Sequence, residues 1–108
     1  MPTATIATIQ TQRKTVPLGM LVHTPGVAEK VPTRSYLEAL NRYGRGDWGS
    51  LDDEDKATND AAVREGSRIL AAYPIDPNKP CTGSGDNCFW IITEADRSMT
   101  TILLPSEY

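Results

Sequence analysis

The stretch Trp90-Ile-Ile-Thr-Glu-Ala-Asp-Arg-Ser-Met-Thr-Thr-Ile-Leu-Leu-Pro-Ser-Glu-Tyr108 decides the fold. β-Branched and aromatic residues run into a polar centre, Ala95-Asp96-Arg97-Ser98, and resume after it. That pattern predicts two strands joined by a short turn. Taking those residues as the connection places Glu94 opposite Met99, Ile92 opposite Thr101 and Trp90 opposite Leu103. Side chains alternate along a strand, so this set shares one side of the hairpin. Phe89, Ile91 and Thr93 then meet Leu104, Ile102 and Thr100 on the other. A hairpin with one wet face should alternate apolar with polar. Here both faces are apolar, so either helices cover both or one is reserved for another chain.

Working outward, Arg68 to Ile75 alternates well enough for a strand next to the hairpin, ending at Pro74-Ile75-Asp76-Pro77. A loop rich in Pro, Gly and Asp leads from it to the hairpin. Val16 to Thr24 reads as a short strand with Pro17 at its start, broken by Thr24-Pro25-Gly26. Two helices are predicted between these strands. The first is capped by Thr33 and carries Tyr36, Leu37, Leu40 and Tyr43 on one stripe, with Glu38 and Arg42 as an i,i+4 pair. It stops at Gly44. The second begins at Ser50 with an acidic first turn, Asp52 to Asp55, and runs to about Gly66, turning Leu51, Thr58, Ala62 and Val63 inward.

The reading is an α+β fold. A small antiparallel sheet combines a C-terminal three-strand meander with an N-terminal strand, and two helices pack on one face. Two modest helices cannot shield both faces, so the second face becomes a candidate partner or dimer surface.

A chain of 108 residues, 39% of them hydrophobic and 23% charged, suits one soluble domain. Residues 16–108 form it, preceded by a Thr-rich arm, 1–15, read as loose or as an added edge strand. A net charge of −3 speaks against wrapping nucleic acid. No apolar run reaches membrane-spanning length and no signal-peptide stretch is present, so a cytoplasmic protein without membrane contact is expected.

Several residues could carry chemistry. His23, the only histidine, is a general base on one reading and an exposed strand residue on the other. Cys81 and Cys88 bracket a six-residue loop. Their spacing does not suit zinc, which leaves free thiols or a disulfide, and neither metal nor cofactor is expected. Gly46-Asp47-Trp48-Gly49 is a binding loop if Trp48 and Asp47 face a ligand, or a core plug if Trp48 is buried. Glu94, Asp96 and Arg97 sit at the hairpin tip as turn residues or as an acid/base cluster that Arg68 could join.

Leu18-Gly19, Thr24-Pro25-Gly26, Gly46-Asp47-Trp48-Gly49, Asn59, Glu65-Gly66-Ser67-Arg68 with Tyr73, and the Trp90–Ser98 and Thr101–Pro105 segments resemble a family of small uncharacterised bacterial proteins borne on plasmids and phages. The resemblance spans roughly 16–108. It implies a prokaryotic or phage setting and no established activity, and the chain departs from the pattern in its longer Cys81–Cys88 loop and its arm. A fold-level analogy to the barnase, colicin and RelE type of small ribonuclease or toxin would instead line a site with Arg68, Thr93, Asp96, Arg97 and His23. The function expected first is an accessory protein of a mobile element, acting on a protein partner or as a homodimer. Trp90, Ile92, Met99 and Leu103 would form the contact centre and Glu94 and Arg97 its rim, with Trp48 and Asp47 as further binding residues. The alternative is the ribonuclease-like enzyme.

Overall fold

A computed structural model describes residues 16–108. The expected arm, 1–15, lies outside the described residues. Four strands, β1 (Met20–His23), β2 (Ile69–Pro74), β3 (Cys88–Thr93) and β4 (Met99–Leu103), form one sheet in the order β1-β4-β3-β2. Three helices, α1 (Pro25–Lys30), α2 (Thr33–Gly44) and α3 (Asp53–Glu65), precede β2, and a 3₁₀ turn, Pro105–Glu107, closes the chain.

The C-terminal hairpin has the register its sequence dictates. Trp90 pairs with Leu103, Ile91 with Ile102, Ile92 with Thr101 and Thr93 with Thr100. The Glu94 N–H donates to the Met99 carbonyl and the Arg97 N–H to the Glu94 carbonyl, which closes the four-residue connection. Arg97 takes a left-handed φ of 61° to do so. β2 completes the antiparallel meander against β3.

β1 departs from the expected arrangement. It runs parallel to β4, Met20 beside Met99 and His23 beside Ile102, so the sheet is mixed. The strand is also shorter than 16–24, because Gly19 must pass beneath the hairpin turn. A Cβ on Gly19 would lie 2.5 Å from the Arg97 carbonyl oxygen, and its φ of 63° is one that glycine adopts freely.

Thr24-Pro25-Gly26 starts a helix where a break was expected. The Thr24 hydroxyl accepts from the Val27 N–H, and Pro25 occupies the first helical position, where a missing donor costs nothing. In α2 the buried residues are Ala39, Leu40 and Tyr43, while Leu37 is exposed. Pro32, and not Thr33, is its N-cap. α3 is capped by Asp52, whose carboxylate accepts from the Asp55 N–H, and Gly66 ends it in the left-handed region as expected. Asn59 and Ala62 are its buried residues, and Thr58 is exposed.

All three helices send their apolar residues to one face of the sheet. Val27, Ala39, Leu40, Tyr43 and Ala62 pack with Ile69, Ala71, Tyr73, Phe89, Ile91, Ile102 and Leu104. A file of hydroxyls runs through this core. Tyr43 Oη lies 2.7 Å from Thr93 Oγ1, which is 2.8 Å from Thr100 Oγ1, which is 2.7 Å from the Leu18 carbonyl oxygen. A carbonyl can only accept, so the proton order is fixed: Thr100 donates to Leu18, Thr93 to Thr100 and Tyr43 to Thr93. Burial pushes the Tyr43 phenol up to about 12, against the pull of its bond to Thr93.

Candidate functional site

The face turned away from the helices is the candidate site. Strand alternation puts Leu70 and Ala72 of β2, Cys88, Trp90 and Ile92 of β3, Met99, Thr101 and Leu103 of β4, and Met20 and Val22 of β1 on it. The chain covers one half of this face itself. Cys88 is bonded to Cys81 in a disulfide, Cα to Cα 5.4 Å, which ties the 82–87 loop to the start of β3. The Trp90 indole N–H donates to the Gly83 carbonyl in that loop at 2.7 Å. The Tyr108 ring stands edge-on to Trp90 at 5.6 Å, and the Arg68 guanidinium lies 5.2 Å above Tyr108.

Exposure differs accordingly across the expected contact centre. Ile92 and Leu103 are buried, at 3% and 6%, and Trp90 is half-buried. Two of the residues taken as an open apolar centre are therefore enclosed. Their neighbours toward β1 are not: Met99 is 37% exposed, Met20 64% and Leu21, on the other side of the same edge, 46%. The uncovered apolar surface lies at the β4–β1 side of the sheet. Leu21 and Met20 were missed by the sequence reading because a four-residue parallel edge strand carries no periodicity of its own.

The polar residues singled out in the sequence do not converge. Arg97 Nη1 donates to the Ser67 and Glu94 carbonyls at 2.7 and 3.1 Å, and Nη2 to the Ala62 carbonyl at 2.9 Å. Its charge thus lies against the negative end of α3, where the Ala62 carbonyl also accepts from the Gly66 and Ser67 N–H groups. Asp96 accepts from the Ser98 N–H within the turn, and hydrogen bonding to Ser98 holds its carboxyl below the usual range. Glu94 is exposed at the same tip. Thr93 is buried in the hydroxyl file. His23 sits beside Ile102, toward the opposite end of β4 from the tip, with its ring 5.7 Å from that of Tyr36 on the helical side.

The Gly46–Gly49 loop is built into the fold. Trp48 is 2% exposed, packs edge-on against Tyr43 at 5.4 Å and donates its indole N–H to Asp60. Asp47 holds Arg42 through two bonds, 2.8 and 3.2 Å, in place of the expected Glu38–Arg42 pair. The bonds to Arg42 draw the Asp47 carboxyl below its ordinary range. Gly49 lies so close to β2 that a Cβ would meet the Ala72 carbonyl and the Tyr73 ring. A groove of about 400 Å³ beside this loop is lined by Ser35, Glu38, Asn41, Arg42, Arg45 and Tyr73. Arg42 is already satisfied by Asp47 and stacked 5.2 Å over Tyr73, so an anion entering there would compete with Asp47.

Both cysteines are consumed by the disulfide. Among the described residues, no helix is long and apolar enough to cross a membrane. Comparison with protein-family models, curated proteins and solved structures finds no match to this chain.

Proposed function

We propose that this protein works by protein–protein contact through the uncovered β4–β1 side of its sheet, with Met20, Leu21 and Met99 as apolar anchors. One observation carries this reading. On this face Ala72, Cys88, Ile92 and Leu103 are buried and Trp90 is tied to the disulfide loop and Tyr108, while Met20 and Met99, beside the β1 edge, stand in water. Water-exposed methionines beside a polar rim suit a recognition surface, because the thioether chain adapts to a partner's shape. The resemblance to plasmid- and phage-borne proteins supports an accessory role in a mobile genetic element.

A cytoplasmic setting goes with a reduced Cys81–Cys88 loop, and the closed disulfide goes with an oxidising compartment. The ribonuclease-like reading has less support. Its arginine at the tip is committed to the Ala62, Ser67 and Glu94 carbonyls, and His23 is on the helical side of the sheet.

Cross-linking mass spectrometry on the protein produced in its bacterial host tests the proposal. Cross-links to a defined protein should map to the β4–β1 side and be lost in Met20→Asp and Met99→Asp. Cross-links that survive both substitutions would contradict it. Cleavage of total RNA by the purified protein, abolished in Arg68→Ala and Arg97→Ala, would replace it with the enzymatic reading.

A further inference from the structure

We infer that two copies of this chain join edge to edge through β1, antiparallel across a two-fold axis, to make one continuous sheet. The inference rests on the contact reading above and names its partner.

The two edges of the sheet are finished differently. At the β2 edge the backbone groups that face outward are met. The Ser50 N–H donates to the Ala72 carbonyl at 2.7 Å. The Asn59 side chain brackets Leu70, donating to its carbonyl at 2.8 Å and accepting from its N–H at 3.4 Å. At the β1 edge nothing comparable is present among the described residues. The Met20 N–H donates to the Ser98 carbonyl and the Thr24 N–H to the Ile102 carbonyl. Alternation along a parallel ladder therefore turns Met20, Val22 and Thr24 toward β4 and leaves the N–H and C=O of Leu21 and His23 facing out.

Those groups are self-complementary. With Val22 at the axis, Leu21 of one copy lies opposite His23 of the other, and each such pair exchanges two hydrogen bonds. Every outward group on both strands is then used. A two-fold, isologous arrangement is also the commonest symmetry among soluble homo-oligomers.

Charge favours the same occupant. Natural edges are defended by lysine, inward charges or proline within the strand. Here residues 15–28 contain no Asp, Glu, Lys or Arg, although 23% of the chain is charged. Two copies can thus approach along β1 without placing like charges together, despite a net charge of −3 on each. The side chains beside the edge, Met20 and Met99 on one face and Leu21 on the other, would be covered in the same step.

Sedimentation velocity over about a hundredfold range of concentration, with amide hydrogen exchange on the same samples, tests this. The expected result is a monomer–dimer shift with slowed exchange at Leu21 and His23 in the dimer. Leu21→Pro removes an outward donor and spares the bonds to β4, and Leu21→Lys places a charge on the edge; each should weaken association at least tenfold. Circular dichroism and thermal melting establish that both variants fold, and Leu21→Lys keeps the test open if the proline variant does not. A strict monomer at the highest concentration would overturn the pairing, while host cross-links lost in Met99→Asp would still sustain the contact reading. A dimer indifferent to both variants but broken by Trp90→Ala would move the interface to the covered half and overturn the pairing. Slow exchange at Leu21 and His23 in a protein that sediments as a monomer would overturn it too.

Discussion

The hydroxyl file from Tyr43 to Leu18 yields an ordered set of stabilities. Thr93 and Thr100 are both fully buried, so water cannot replace a lost partner without disturbing the core. Thr100→Val keeps shape but deletes the middle of the file. It leaves the Leu18 carbonyl without its donor and the Thr93 hydroxyl without an acceptor. An orphaned buried polar group costs about 1–3 kcal/mol, so two should cost roughly 2–6 kcal/mol. Thr93→Val orphans one donor, the Tyr43 phenol, and should cost about 1–3 kcal/mol. Tyr43→Phe orphans no donor, since Thr93 still donates to Thr100, and should cost only about 0.5–1.5 kcal/mol. Urea unfolding of the oxidised protein gives these differences as midpoint shifts at constant slope. The double variant Tyr43→Phe, Thr93→Val adds a sharper condition. Removing the phenol relieves the orphan that Thr93→Val creates, so the pair should cost less than the sum of the two single changes. Equal losses for Tyr43→Phe and Thr100→Val, or strict additivity in the double variant, would refute the proton order.

Three further outcomes follow from the structure. Arg97→Ala should lower stability by about 1–2 kcal/mol through loss of its bonds to the Ala62, Ser67 and Glu94 carbonyls, and Arg97→Gly by less, because glycine accepts the φ of 61° freely; hydrogen exchange in the last turn of α3 should quicken in both, and unchanged exchange would remove the capping role. Opening the Cys81–Cys88 ring by Cys81→Ser should cost about 2.5 kcal/mol on the chain-entropy estimate for so short a loop, and should shift Trp90 emission to the red in a Trp48→Phe background; an unshifted spectrum would mean that the loop does not hold Trp90. Glu107 accepts from the Thr24 hydroxyl at 2.5 Å and from the Leu104 and Gly26 N–H groups, and those bonds, Thr24 first, hold its carboxyl below the usual range. With its folded value depressed, its contribution is present above the unfolded value and lost as pH falls through the folded one. Carboxyl titration by NMR should place Glu107 low and return it toward the ordinary range in Thr24→Val; an unchanged titration in that variant would contradict the assignment.

What the sequence could reveal tracks how local each signal is. The hairpin register was legible because polar Ala95–Ser98 separates two strands whose alternation admits one pairing that keeps each apolar set together. The α+β class followed from the order of the elements, and Gly66 marked the end of α3. α1 was not legible, since Thr24-Pro25-Gly26 has the composition of a turn and the helix is only six residues long. The direction of β1 is a tertiary matter. It depends on Gly19 fitting beneath the hairpin turn and on Thr100 reaching the Leu18 carbonyl, neither of which is written in four residues of strand. The candidate site was half legible for the same reason. Two apolar faces were evident, but the burial of Ile92 and Leu103 and the contacts of Trp90 with the Gly83 carbonyl and the Tyr108 ring depend on how a loop and the chain's last residue fold back, which no strand pattern records. What remained uncovered shifted toward β1. Trp48 shows how composition misleads: an aromatic among glycines resembles a ligand platform, yet Gly49 serves to bring its loop against β2 and Trp48 is buried.

Methionine oxidation footprinting probes the exposed side of the sheet most directly. The protein is treated with dilute peroxide both in intact host cells and after purification at low concentration, and sulfoxide is counted at Met20 and Met99. The account predicts ready oxidation of both in the dilute protein and strong protection of both in cells, where a partner covers them. Equal oxidation in the two settings would contradict it.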